Sequence, residues 1–151
     1  MPKINHVAAI DVLQNPPTSG VVISIRDPGN TYTSLYNDID KLVGPKIIPI
    51  YAFDVNDEIP GCLTDADAFK IANILLEESA AGNDVIVHCT AGICRSGAVA
   101  EVGMMVGLFD KVRTHRQPNT LFKRKIAAAI FNINPNQATI AFNKRFEETR
   151  K

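Results

Sequence analysis

Asp84-Val-Ile-Val-His88 is a short, apolar, β-branched run; small residues follow from Cys89 to Cys94, and from Arg95 the positions Ala98, Val99, Val102 and Val106 recur at helical spacing through about Leu108. Strand, loop and helix thus follow one another without a spacer, which restricts the chain to folds in which a strand feeds a helix directly. The same run makes a site. A loop entering a helix N-terminus turns several backbone N–H groups toward one point, where the helix dipole adds partial positive charge, so this loop is expected to bind an anion.

Two side chains indicate what the anion is for. A cysteine at the start of such a loop, facing N–H groups and an arginine, is expected to ionise readily, which makes Cys89 a nucleophile. Arg95 closes the loop, and its planar fork of donors suits a tetrahedral oxyanion better than a lysine would. Gly92 supplies the positive φ that a backbone curling around an anion needs.

His88-Cys89, five residues, then Arg95-Ser96 resembles the signature of the protein tyrosine phosphatase superfamily, and its place at mid-chain resembles a small dual-specificity-like member. The resemblance implies hydrolysis of phosphate monoesters through a cysteinyl-phosphate intermediate, with no metal and no cofactor. It implies that Cys89 attacks phosphorus while the N–H groups of Thr90, Ala91, Gly92, Ile93, Cys94 and Arg95, with the Arg95 guanidinium, hold the equatorial oxygens. Ser96 then hydrogen-bonds the thiolate, or caps the following helix, or does both. His88 orients the loop from behind and is not the general base. The general acid is an aspartate on the loop after the preceding strand: Asp54, directly at the strand end, is preferred, with Asp57 the alternative. Asn119, after Pro118, resembles the Pro-Asn that follows the signature helix and braces the loop; helix capping explains it nearly as well.

Cys94 stands where dual-specificity-like members usually carry serine. Ile93-Cys94-Arg95-Ser96 resembles the low-molecular-weight phosphatases, in which a second loop cysteine traps the oxidised nucleophile as a disulfide, yet those enzymes carry the loop at the start of the chain. Two readings stay open for Cys94, a redox partner of Cys89 and a small filler. The chain has no tryptophan, hence no Trp-Pro-Asp acid loop, and its signature loop lacks the lysines of phosphoinositide phosphatases. A phosphorylated protein is therefore the expected substrate, phosphotyrosine first, with phosphoserine and phosphothreonine open. A phosphatase of RNA 5′ ends or of a small phosphate ester, and a non-catalytic phosphate-binding module, are the alternatives.

Composition bounds the rest. At 151 residues the chain is read as a single domain, 1–151, large enough to bury a core without staples. Sixteen basic residues balance sixteen acidic ones, so no global field favours nucleic acid, and the anion site must be local. Cys62, Cys89 and Cys94 fit no disulfide framework or zinc spacing, no basic leader opens the chain, and no apolar run reaches membrane-spanning length. A reducing, cytoplasmic setting with no membrane partner is expected.

Elsewhere, Val7-Ala-Ala-Ile10 reads as an edge strand, with His6 an ordinary surface or core histidine, and Val21-Val-Ile-Ser-Ile25 reads as a buried strand ending at Arg26-Asp27-Pro28-Gly29-Asn30. Residues 31–43 place Leu35, Ile39 and Leu42 on one helical face. A second strand, 46–53, contains Pro49, which must sit where its missing N–H has no partner. Thr64 caps a helix with Phe69, Ala72, Leu75 and Leu76 facing inward, and Asp65 and Asp67 partner its dipole. After Gln117-Pro-Asn119 comes a helix with Leu121, Phe122, Ile126, Ala129 and Ile130, on which Lys123-Arg-Lys125 reads as a solvated face; a last helix after Asn134-Pro135 carries Ile140, Phe142 and Phe146. The alternation predicts an α/β fold, a mostly parallel sheet of about four or five strands flanked by helices. Ligands gather at the carboxyl ends of such strands, so the loops at Arg26-Asp27, Asp54–Asp57 and Cys89–Arg95 are expected to converge. Arg26 reads as a loop salt bridge or as a contact to a second anionic group, and Cys62 as structural.

Overall fold

Alternation of side chains along four short strands decides the layering. The structure, a computed structural model, describes residues 2–29, 33–110 and 116–133. Its elements are β1 (Ile4–Ala8), α1 (Ala9–Gln14), β2 (Val21–Arg26), α2 (Thr33–Asp40), β3 (Lys46–Tyr51), α3 (Asp65–Ala81), β4 (Val85–Cys89), α4 (Arg95–Met105) and α5 (Thr120–Ile133). The strands form one four-stranded sheet in the order β1-β4-β2-β3, and every pairing is parallel. Ile4, Ile23, Ile25, Ile48, Ile50, Val85 and Val87 project to one face, where α3, α4 and α5 bury them; Val7, Ile47 and Ile86 project to the other, against α1 and α2. Covering both faces is what an all-parallel sheet requires.

The parallel sheet, the strand at 21–26 and the cap of α3, where Thr64 Oγ1 accepts the Asp67 N–H at 3.1 Å, follow the sequence reading. Pro49 lies on the edge strand β3, opposite Ser24, where only one side needs donors. Four expectations are corrected. The first strand is Ile4–Ala8 rather than 7–10, because the Asp11 carboxylate takes the Ala8 N–H at 3.1 Å and starts α1 at Ala9. Phe69 is exposed: the inner stripe of α3 is Ala68, Ile71, Ala72, Leu75 and Leu76, and Phe69 falls on its flank. Helix α2 is shorter than 31–43, and α4 stops at Met105, where Gly107 at φ 104° turns the chain back. All five apolar positions expected of α5 are buried. The helix expected after Asn134-Pro135, with Ile140, Phe142 and Phe146, lies outside the described residues, as do residues 30–32 ahead of α2. No described helix is long and apolar enough to cross a membrane.

With every strand parallel, the segments after β2, β3 and β4 leave the same edge of the sheet. The next contacts all lie at that edge.

Candidate active site

The segment 89–95 bends around a centre because its outer surface is taken up by neighbours. Thr90 O accepts from Ala9 N (3.4 Å), Ile93 O from Gln117 N (3.2 Å), and Cys94 O from Asn119 N and Ala98 N (both 3.0 Å). Gly92 O accepts from His6 Nδ1 at 2.9 Å. A trans peptide points its N–H opposite to its C=O, and no described bond is cis. The N–H groups of Ala91, Ile93, Cys94 and Arg95 therefore face away from these partners, toward the inside of the loop. Gly92 N–H points to the Cys89 sulfur at 3.2 Å. Gly92 has φ 75°, as the sequence reading required, and a Cβ there would stand 2.5 Å from Ala8 N and Val7 C, so the loop also presses directly on the β1 backbone.

His6 is therefore more than an ordinary core histidine. It is buried, donates to the loop, and has Nε2 3.5 Å from Asp110 Oδ2; Asp110 is held by Arg116 Nη1 at 2.7 Å, and Arg116 Nε reaches Glu101 at 2.8 Å.

Cys89 ends β4 with 2% of its surface exposed. Burial pushes its thiol up; hydrogen bonds from the Ser96 hydroxyl and N–H and from Gly92 N–H, with the charge of Arg95, outweigh burial, and the net shift is downward. Ser96 Oγ lies 3.2 Å from the sulfur and is wholly buried. Ser96 does not cap α4: the N-cap is Cys94, which offers no side-chain bond, and Ser96 sits in the first turn.

Arg95 is fixed by all three strand-end segments. Nη1 donates to Asp27 Oδ1 (2.6 Å), after β2, and to Ala52 O (2.8 Å), after β3; Nη2 donates to Thr90 Oγ1 (3.3 Å), after β4. Its Nε is buried and has no hydrogen-bond partner among the described residues. The Arg26-Asp27 loop reaches this site as expected, but the bond from Arg95 to Asp27 was not foreseen, since nothing in Arg26-Asp27-Pro28 distinguishes a turn aspartate from an arginine-holding one.

His88 and Arg26 lie behind the loop. Successive strand residues face opposite sides, so His88 points away from the Cys89 side. Ser24 Oγ accepts from Arg26 Nε at 2.9 Å and shares a hydrogen bond with His88 Nε2, 2.6 Å away. Burial, with the charges of Arg26 and Arg95, pushes His88 down to about 4. Arg26 is buried, pairs with both carboxylate oxygens of the exposed Asp40 and lies 5.1 Å over the Tyr36 ring, which settles it as an ion pair with α2.

Of the two candidate acids, Asp54 is tied to the site: its Oδ1 accepts from Asn119 Nδ2 at 2.7 Å, and Asn119 in turn holds the loop through Cys94 O. Asp57 is exposed, and its carboxylate forms no hydrogen bond or ion pair among the described residues. Cys94 is half-buried, and its thiol is pushed up by burial, then by Asp54, then by Cys89. All three cysteines are free, and Cys62 Sγ donates to Leu63 O at 3.6 Å. Asn119 serves both roles expected of it, since its Oδ1 also caps α5 through Phe122 N–H at 3.0 Å. Lys125 is not on a solvated face: Nζ sits 2.9 Å from Leu63 O, 3.0 Å from Glu58 and 3.1 Å from Asp65. Among the described residues no three His, Cys, Asp or Glu side chains are grouped as a metal would need.

No family model matches the chain, and no curated protein matches it. Among solved structures, the crystal structure of PTPMT1 is similar over 91% of this chain and 95% of its own, with a TM-score of 0.51 at 15% identity. The crystal structure of Tk-PTP in the active form aligns over 98% of this chain and 93% of its own, with a TM-score of 0.42 at 15% identity. The likeness to PTPMT1 is one of fold: a single α/β domain with a four-stranded parallel sheet between helices.

Proposed function

We propose that the protein is a cysteine-dependent phosphatase of phosphate monoesters, acting on phosphorylated proteins with phosphotyrosine as the first substrate. The observation that carries the reading is the Cys89 sulfur, buried inside the loop within 3.2 Å of both Ser96 Oγ and Gly92 N and lowered in pKa by them. Structural cysteines are inert and raised by burial; a cysteine lowered despite burial is built to ionise. The phosphatase fold of PTPMT1 supports the reading independently.

In the reaction the Cys89 thiolate attacks phosphorus, the P–O bond to the leaving group breaks, and Asp54 gives its proton to the departing oxygen. The N–H groups turned inward and the unpartnered Nε of Arg95 hold the equatorial oxygens as charge spreads over them. Water then attacks the cysteinyl phosphate, Asp54 takes the water's proton, and the leaving thiolate returns to the Ser96 hydroxyl. Thr90, Ala91, Gly92, Ile93 and Cys94 contribute through their backbone, and His88 and Asn119 hold the loop.

Hydrolysis of an aryl phosphate in EDTA and a thiol reductant, wild type beside Cys89→Ser, tests this. Turnover by the wild type and none by the variant is the expected result. Wild-type protein that binds phosphopeptides without turnover would make it a phosphate-binding module, and equal turnover by both would remove Cys89 from the chemistry. Release of phosphate from phosphotyrosine, phosphoserine and phosphothreonine peptides then ranks the substrates.

A further inference from the structure

The polar atoms of Asn119 are all in use, and their arrangement is more specific than a brace requires. The residue is 3% exposed. Its Oδ1 accepts Phe122 N–H at 3.0 Å, and its backbone N–H donates to Cys94 O at 3.0 Å. The amide plane is thereby fixed relative to the signature loop. Both hydrogens of Nδ2 then point across to the segment after β3, one to Asp54 Oδ1 at 2.7 Å and one to Val55 O at 3.0 Å. The next residues of α5 continue the attachment. Thr120 N and Oγ1 donate to Asn56 Oδ1 at 3.0 and 2.9 Å, and Lys125 Nζ donates to Leu63 O.

We propose that Asn119 is a positioning residue for proton transfer: it holds Asp54 against the signature loop and reserves Oδ2 as the oxygen that carries the proton. The proposal rests on the reading of Asp54 as the general acid. A protonated carboxyl has one carbonyl oxygen, which accepts well, and one hydroxyl oxygen, whose hydrogen would clash with a donor. Because Nδ2 donates to Oδ1, the acid proton belongs on Oδ2, and a flipped carboxyl would set O–H against N–H. When the proton leaves, the Nδ2 bond becomes charge-assisted and strengthens. Asn119 therefore binds the group more tightly as transfer proceeds, which is the kind of interaction that lowers a barrier.

Asn119→Ser tests it, because serine is a good N-cap yet too short to reach Asp54. Asn119→Asp is the second variant: it keeps the Oδ1 cap and replaces the donor by an acceptor. Melting curves check that both fold. General acid catalysis contributes about 10²–10⁴-fold, and losing its alignment should remove roughly 10-fold to 100-fold of turnover with phenyl phosphate, whose leaving group needs the proton. With p-nitrophenyl phosphate, whose leaving group needs it little, the loss should be at least about fivefold smaller. In an Asp54→Asn background the same Asn119 substitutions should cost less than about twofold, since the two residues act as one unit. Equal losses on both substrates, or the full loss in the Asp54→Asn background, would overturn the proposal and leave Asn119 a structural brace. If Asp54→Asn itself spares phenyl phosphate, the acid assignment falls and this proposal with it. The phosphatase reading is decided separately, by Cys89→Ser.

Discussion

Replacing Ser96 by alanine removes one hydroxyl from the thiol's surroundings and nothing else of consequence. Ser96 is wholly buried, Cys89 nearly so, and the Oγ–Sγ distance is 3.2 Å. Water does not replace the lost donor at such a site. A hydrogen bond to a charged partner is worth about 1.5–3 kcal/mol, and one pKa unit is about 1.4 kcal/mol, so Ser96→Ala should raise the Cys89 pKa by roughly one to two units. Gly92 N–H and Arg95 still favour the thiolate, and they keep the shift from being larger. The sign is fixed: losing a donor to the charged form disfavours that form. Thiolate absorbance in the ultraviolet, followed against pH and corrected with Cys89→Ser, reads the change directly. The acid limb of kcat/KM should move to higher pH by the same amount. A Cys89 midpoint in Ser96→Ala within about 0.3 unit of wild type would refute the reasoning, since the bond would then be worth less than about 0.4 kcal/mol.

Asp27→Asn weakens the outer hold on Arg95, now a partly buried ion pair at 2.6 Å, and should lower kcat/KM for an aryl phosphate about tenfold, or about 1.4 kcal/mol, with a matching rise in the inhibition constant of inorganic phosphate. Gly92→Ala should destabilise the fold by at least about 2 kcal/mol in urea titrations, because a left-handed φ and a clash with Ala8 N and Val7 C act together. His88 gives a pH dependence. Its folded pKa, about 4, lies below the ordinary histidine value of 6.5, so the unfolded chain binds the extra proton between these two pH values. The stability due to neutral His88 is complete above pH 6.5 and is lost as pH falls toward 4, by about 3 kcal/mol in all. Urea midpoints measured from pH 7 down to 4 should show this loss, and His88→Gln should flatten it.

What was legible in the chain was what lies close together in it. The run from Val85 through Arg95 to Val106 carries its strand, its loop and its helix within one segment, and the Thr64–Asp67 cap is a contact over three residues. β1 was misplaced because Ile4-Asn-His-Val-Ala8 does not look like a strand: its polar Asn5 and His6 are made strand residues by pairing with β4, not by propensity. The same holds for the side chains that complete the site. His6 reaches Gly92 across 86 positions, Asp27 reaches Arg95 across 68, and Asn119 reaches Asp54 across 65. Turn aspartates and polar strand histidines are common, and only the assembled sheet singles out His6 and Asp27; Asn119 was marked by the Pro-Asn resemblance, but its bond to Asp54 was not.

The electrostatics of the site explain why a chain of zero net charge can carry it. Arg95 brings one positive charge, but Asp27 sits on its Nη1, and in the proposed reaction Cys89 is itself an anion. The sum of formal charges around the sulfur is therefore not positive, and a phosphate dianion is not drawn in by net attraction. In the proposed reaction the work falls to directional donors instead: the inward N–H groups of the loop, the free Nε of Arg95 and the N-terminus of α4. Such donors act only if they are held in place, and here they are held by bonds on the loop's outer side, from β1, α1 and the segment leading into α5. Preorganisation by buried neighbours thus stands in for charge, and substitutions at those outer contacts should disturb the site as much as substitutions inside it.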